Sequence, residues 1–206
     1  MVQLVYAWLQ RAPGLVIVID AKANRRYDGL CPGRLQVRES VAHLRAEPLP
    51  PGTRVVVYRG NPFRGQDVDP DRISEAAWAT AGQRCPVLLV HDELVPFAAK
   101  NGQWLRGDKS WVQRSLITGR EHGVSVFWAT TGLVSVPLDA SGQSEILAFQ
   151  CTPNDTRLLT RRGYCTGLPP GTLERLPGPP LPFGERGVFV RLQPEQPWDG
   201  LLYKAA

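Results

Sequence analysis

CPVLLVHDE, residues 85–93, decides how the rest of the chain is read. Val87, Leu88, Leu89 and Val90 follow one another without alternation, which suits a strand buried on both faces, as in parallel sheets. The run ends in two carboxylates, Asp92 and Glu93. Such a pair at the carboxyl end of a central strand is what nucleotide hydrolysis requires. The Asp can hold the water shell of Mg²⁺, and the adjacent Glu can polarise a water toward a terminal phosphate. Taken alone, the pair also fits a solvated strand end.

Working outward, the same kind of run occurs in LVIVID (Leu15–Asp20) and in RVVVYRG (residues 54–60). Val2–Arg11 has helical spacing of its apolar residues and is stopped by Pro13-Gly14. Residues 35–46 suit a short helix or an irregular connection, and residues 48–52 form a turn. DPDRISEAAWATAGQ (69–83) predicts a helix with an Asp cap and Pro in its first turn. A further helix is expected over 104–121, a strand over 124–131 (VSVFWATT), a fifth strand over 145–152 (EILAFQCT), and a helix over 153–163. Apolar strands alternating with amphipathic helices predict an α/β fold, a three-layer sandwich on a mostly parallel sheet, spanning residues 1–167. At Leu168 the composition changes. LPPGTLERLPGPPLPFGERG reads as a structureless connector, and GVFVRL and LLYKAA as a C-terminal β hairpin, so residues 168–206 form a separate element.

The 206 residues carry 24 Lys plus Arg against 19 Asp plus Glu, a net charge of +5 that permits a nucleic-acid partner without requiring one. Lys22, Lys100, Lys109 and Lys204 are the lysines; the other 20 basic residues are arginines. With 43% hydrophobic and 21% charged residues the chain is neither disordered nor fibrous. No apolar run reaches the roughly 18 residues of a membrane span, and Arg11 follows the apolar start where a signal peptide would have its cation first. Cys31, Cys85, Cys151 and Cys165 form no CxxC pair, and His43, His91 and His122 are scattered, so zinc spacing is absent. These features predict a cytoplasmic protein with reduced thiols.

GREHGVSVFWATT (residues 119–131) supplies context for the acidic pair. Arg120 falls at a helix end, His122-Gly123 makes a turn, and an apolar strand ends at Thr130 and Thr131. On a neighbouring parallel strand those hydroxyls would stand beside Asp92 and Glu93, in the usual ligand crevice of an open α/β sheet. Arg120 would lie near a subunit edge, within reach of a neighbour's phosphate; a helix C-terminal cation is its plain alternative.

The succession LVIVIDAK, RVVVYRGNP, CPVLLVHDE, ITGREHGVSVFWATT and SVPLDASGQSEILAFQCTPNDTRLL resembles the ATPase core of the FtsK/HerA superfamily of ring-forming DNA pumps, a group that includes viral genome-packaging ATPases. The resemblance covers roughly residues 2–162. It implies a P-loop NTPase fold, ATP and Mg²⁺ as cofactors, DNA as partner, and a homo-oligomeric ring, a hexamer. It implies Asp92 as the Mg²⁺ residue and Glu93 as the catalytic carboxylate of a Walker B strand. Arg120 becomes a trans-acting arginine, and Thr130 and Thr131 the γ-phosphate sensor, where the family usually has Gln in place of Thr131.

The resemblance also implies a Walker A loop, G-x-x-x-x-G-K-[ST], before the first helix. No Gly-Lys pair occurs in the 206 residues. The helix Val2–Arg11, its turn and the strand from Leu15 match the spacing that follows such a loop, with Met1 where the loop would end. The chain is therefore expected to start inside the ATPase, by truncation or by real loss, and to turn over ATP weakly. Residues 102–110 (GQWLRGDKS) fail as a phosphate loop, having one residue too many before Lys109 and no strand leading in. Asp20-Ala21-Lys22 raises a metal-dependent nuclease as a rival, although residues 1–19 hold no second acid. A non-hydrolysing assembly subunit is the other alternative. Lys100, Arg106, Lys109 and Arg114, with Arg161 and Arg162, are candidates for a DNA path, or equally for a solvated basic face.

Overall fold

The computed structural model describes residues 1–20, 23, 25–38, 49–60, 68–81, 85–94, 110–130, 132, 133, 136, 144–177 and 188–204. They form two compact units, Met1–Thr131 and Gly132–Ala206.

The first unit is built on five parallel strands: β1 (Leu15–Asp20), β2 (Leu35–Arg38), β3 (Val55–Arg59), β4 (Val87–His91) and β5 (Val124–Trp128), in the order β2-β3-β1-β4-β5. Every residue of β1 and β4 is buried, as their unbroken apolar runs demand. The register pairs Ile17 with Val56 and with Leu89, and Leu89 with Val126, so equivalent residues of neighbouring strands share a face. Val16, Val18, Val55, Val57, Leu88 and Val90 pack on one side with Val5 and Leu9 of helix α1 (Val2–Arg11). Leu15, Ile17, Ile19, Val56, Val87 and Leu89 pack on the other with Ile73 and Ala77 of helix α2 (Pro70–Ala81). This is the three-layer α/β arrangement expected, each fully buried aliphatic stabilising by about 1.5–3 kcal/mol.

Local chemistry fixes the ends of these elements. Pro70 begins α2 just after Asp69, whose carboxylate accepts from the Asp71 amide at 2.9 Å. Ser110 caps helix α3 (Trp111–Thr118) by accepting from the Gln113 amide, and a 3₁₀ turn, Gly119–His122, leads to Gly123 in the left-handed region before β5. The guanidinium of Arg54 donates to the carbonyls of Leu9, Ala12 and Gly14, satisfying groups left over at the end of α1.

Two expectations change here. Part of residues 35–46 is not a helix: Leu35–Arg38 is an edge strand parallel to β3, because four residues with a Leu and a Val suffice once β3 offers a free edge; residues 39–46 lie outside the described residues. The helix expected over 104–121 is described from Trp111 onward.

The second unit holds an antiparallel sheet of β6 (Ile146–Ala148), β7 (Val188–Leu192) and β8 (Tyr203–Lys204), with helices α4 (Pro153–Arg161) and α5 (Thr172–Arg175). Its core joins Ile146, Ala148, Leu159, Tyr164, Leu173, Leu176, Val190 and Leu192. The segment expected as a fifth strand of the parallel sheet thus pairs with β7 instead, Ile146 opposite Leu192. This strand lies in the compact unit Gly132–Ala206. The connector is also not wholly structureless, since Leu173 on α5 is fully buried. β7 and β8 pair antiparallel as the C-terminal hairpin expected.

Candidate active site

The alternation of faces explains what stands at the carboxyl edge of the first sheet. On the α1 side the apolar rows Val16-Val18, Val55-Val57 and Leu88-Val90 run out, and the next residue in each is polar: Asp20, Arg59 and Asp92. Asp20 and Arg59 are register partners, and the Arg59 Nε lies 3.5 Å from the Asp20 Oδ2. The Arg59 guanidinium also binds the Asp28 carboxylate. Arg59 therefore ties β3, β1 and the turn at residues 26–30 together.

That turn delivers Tyr27. Its ring is fully buried in the α1-side core, and its hydroxyl donates to the Asp92 Oδ1 at 2.7 Å. Burial, and then the Asp92 charge, push the Tyr27 phenol far above its usual pKa, so the proton stays on the tyrosine. Asp92 and Glu93 are 6% and 5% exposed, so both carboxylates sit in the protein and not in bulk water. The ladder continues around them: the Asp92 amide donates to the Ile19 carbonyl and the Leu94 amide to that of Ala129. His91, just before the pair, is fully buried, and burial lowers its pKa to about 4, leaving the imidazole neutral at pH 7.

Helix α1 precedes β1 and runs back along the sheet, which brings its amino-terminal end to this same edge. The Met1 amine feels the charges of Asp92 and Arg26, although burial is the stronger influence and lowers its pKa. A helix amino end carries partial positive charge and unsatisfied amides. A carboxylate near it, as Asp92 is, suits a phosphate held together with a hard cation. Among the described residues no group of three His, Cys, Asp or Glu could hold a metal ion unaided. Magnesium fits such a site better than zinc does, because it keeps several waters and takes one or two carboxylates together with substrate phosphates.

Of the residues singled out by sequence, Asp92, Glu93 and Thr130 come to the carboxyl edge, Thr130 two residues beyond β5. Arg120 does not: it is exposed in the 3₁₀ turn at the opposite end of β5, about 16 Å of strand away. Arg114, on α3, stacks its guanidinium 4.8 Å from the Trp111 ring centroid. Thr131, Lys100, Arg106, Lys109 and Lys22 lie outside the described residues. Asp20, proposed for a nuclease site, is engaged by Arg59. Arg161 and Arg162 belong to the second unit, where Arg162 donates to the Val136 carbonyl.

Sequence reasoning missed Tyr27 and Arg59. Tyr27 and Asp92 are 65 residues apart, and no spacing marks the pair. Arg59 left a faint signal, as a cation directly after a buried apolar run.

No family model and no curated protein sequence matches the chain. Solved structures do. The genome packaging NTPase B204 from Sulfolobus turreted icosahedral virus 2, in complex with ATP-gammaS, superposes with a TM-score of 0.61 at 12% identity, covering 98% of this chain and 86% of that one. Its complex with sulfate gives 0.60 at 13% identity over 97% and 84%, and its complex with AMP 0.55 at 15% over 78% and 71%. At such identities the likeness is one of fold. In fold, this chain is similar to a viral genome packaging NTPase, which agrees with the resemblance that its strand ends carry.

Proposed function

We propose that this chain is the ATPase core of a DNA-translocating or genome-packaging motor of FtsK/HerA type, working as a homo-oligomeric ring. One observation supports it above others: Asp92 and Glu93 close β4 at the edge where α1 begins, on a fold shared with a genome packaging NTPase. Asp92 would hold Mg²⁺ through its water shell beside the phosphates of ATP. When bound, that ion supplies charge neutralisation on the phosphoryl oxygens. Glu93, held within the protein, orients a water and takes its proton as the water attacks. Thr130 and Thr131 offer hydroxyls to the γ-phosphate. Arg120 faces away from its own chain's acidic pair and is assigned to a neighbour's site in the ring, where a guanidinium stabilises charge at the transition state. Lys100, Arg106, Lys109 and Arg114 are assigned to the phosphate backbone of DNA, with affinity falling steeply as salt rises.

The test is ATP hydrolysis by the protein as its own gene encodes it, with and without double-stranded DNA. Mg²⁺-dependent turnover stimulated by DNA is expected, lowered about 10²- to 10⁴-fold by Glu93→Gln and lost in Arg120→Ala. Unchanged rates in both variants would sink these roles. The alternative is an assembly subunit that keeps the ring-forming fold without hydrolysis. A ring-sized particle in solution that neither binds ATP-γS nor hydrolyses ATP would select it.

A further inference from the structure

We propose that Tyr27 is a positioning residue for the metal-holding carboxylate, fixing the plane of Asp92 through the hydrogen bond from its hydroxyl to Oδ1. The inference rests on the reading of Asp92 as the Mg²⁺ residue and adds to it the group that sets its geometry.

Three features carry it. The bond is 2.7 Å long between a fully buried phenol and a carboxylate only 6% exposed. A hydroxyl donating to an ionised acceptor at that distance is of the charge-assisted kind, stronger than a neutral pair. Next, the donor is itself immobilised. Tyr27 packs among Val5, Val16, Val18, Leu30, Val57 and Val90, and its carbonyl accepts from the Leu30 amide at 3.0 Å. The adjacent Asp28 is bound to Arg59, which is in turn beside Asp20. Finally, between Asp20 and Tyr27, Ala23 and Arg25 have φ of 50° and 58°, in the left-handed region where residues with a Cβ are uncommon. A backbone held in that region needs surrounding contacts to impose it, and sites of function are where such strain concentrates.

A carboxylate that orders the waters of an ion works only if its own rotation is restricted. Hydrogen-bond donors in the shell behind a ligand supply that restriction, and their loss typically costs about 10- to 100-fold in metal affinity or activity. Tyr27 occupies that place for Asp92. Its ring forms part of the hydrophobic core and its hydroxyl alone reaches the polar row, so ring and hydroxyl can be separated by substitution.

The experiment uses Mn²⁺ as the probe, its binding to the ATP-γS-loaded protein followed by electron paramagnetic resonance, on the wild type, Tyr27→Phe and Asp92→Asn. Expected for Tyr27→Phe are an unchanged affinity for ATP-γS without metal and a Mn²⁺ affinity about 10-fold weaker. Asp92→Asn should lose more. If Tyr27→Phe holds Mn²⁺ as the wild type does while Asp92→Asn does not, the positioning role is overturned and the metal assignment survives. If Asp92→Asn also binds as the wild type does, or the wild type binds no Mn²⁺, the metal assignment itself falls and the positioning role with it. Should Tyr27→Phe fail to fold, the hydroxyl proton of Tyr27 in the wild type provides the readout. It should appear as a slowly exchanging resonance that persists on adding Mg²⁺ and ATP-γS. Its disappearance on loading would mean that the tyrosine lets go when the ion arrives, which overturns the role.

Discussion

His91 shows how a single side chain at the end of β4 sets a pH dependence for the whole chain. Burial lowers its pKa to about 4 from the 6.5 of a free imidazole. Below pH 6.5 the unfolded chain takes up a proton that the native chain refuses until about pH 4. The unfolded state therefore binds more protons across this window, and stability from this group is complete above pH 6.5 and falls as the pH falls. Between pH 7 and 5 the loss should be about 2 kcal/mol. Urea unfolding of the wild type and of His91→Gln at both pH values checks it: the wild type should lose more on acidification than the variant, whatever the variant's stability at pH 7. Equal losses would show that the imidazole is not held neutral. Asp92, next in sequence, is a different case at the same scale. Its charge is accommodated by a hydroxyl from a distant turn, and no local pattern announces that partner.

At the level of elements, the close approach of α1, β1 and the segment leading into β4 depends on a glycine. A Cβ placed on Gly14 would stand 2.0 Å from the Pro86 carbonyl oxygen and 2.6 Å from the Trp8 ring. The Leu15 amide donates to that same carbonyl at 3.0 Å, so the backbone cannot retreat without losing the first bond of β1 to its neighbour. Gly14→Ala should destabilise by about 1–3 kcal/mol or more, whereas Gly29→Ala, which meets nothing within 4 Å, should stay within about 0.5 kcal/mol. Thermal unfolding of the two variants side by side measures the difference; similar midpoints would mean that α1 can shift freely. The turn Pro13-Gly14 was legible as a helix stop, but its role as a packing contact depends on Pro86, 72 positions further along. Arg54 is similar: its position before an apolar run gave no hint that it caps α1.

For the whole molecule, the two units have separate hydrophobic cores, one centred on the parallel sheet and one on Leu159, Tyr164, Leu173 and Val190. Truncating Leu173 to Ala removes a fully buried side chain and should cost about 2–5 kcal/mol. Amide exchange is expected to quicken in β6 and β7 while β1 and β4 keep their protection. Equal loss in both sheets would show that the units unfold as one. The sequence by itself determined the buried parallel strands, most of the helices, the turns at Pro13-Gly14 and Gly123, and the acidic pair after β4. These are local properties: an unbroken apolar run, a capping residue or a change at a strand end is written in consecutive residues. Only the tertiary structure decided that Ile146–Ala148 pairs with Val188–Leu192, that Leu35–Arg38 adds an edge strand to β3, and that Tyr27 and Arg59 complete the polar row beyond the core. Each joins segments far apart in sequence, through strand register or the return of a loop, and the competition among possible pairings is settled by total burial, which no local window contains.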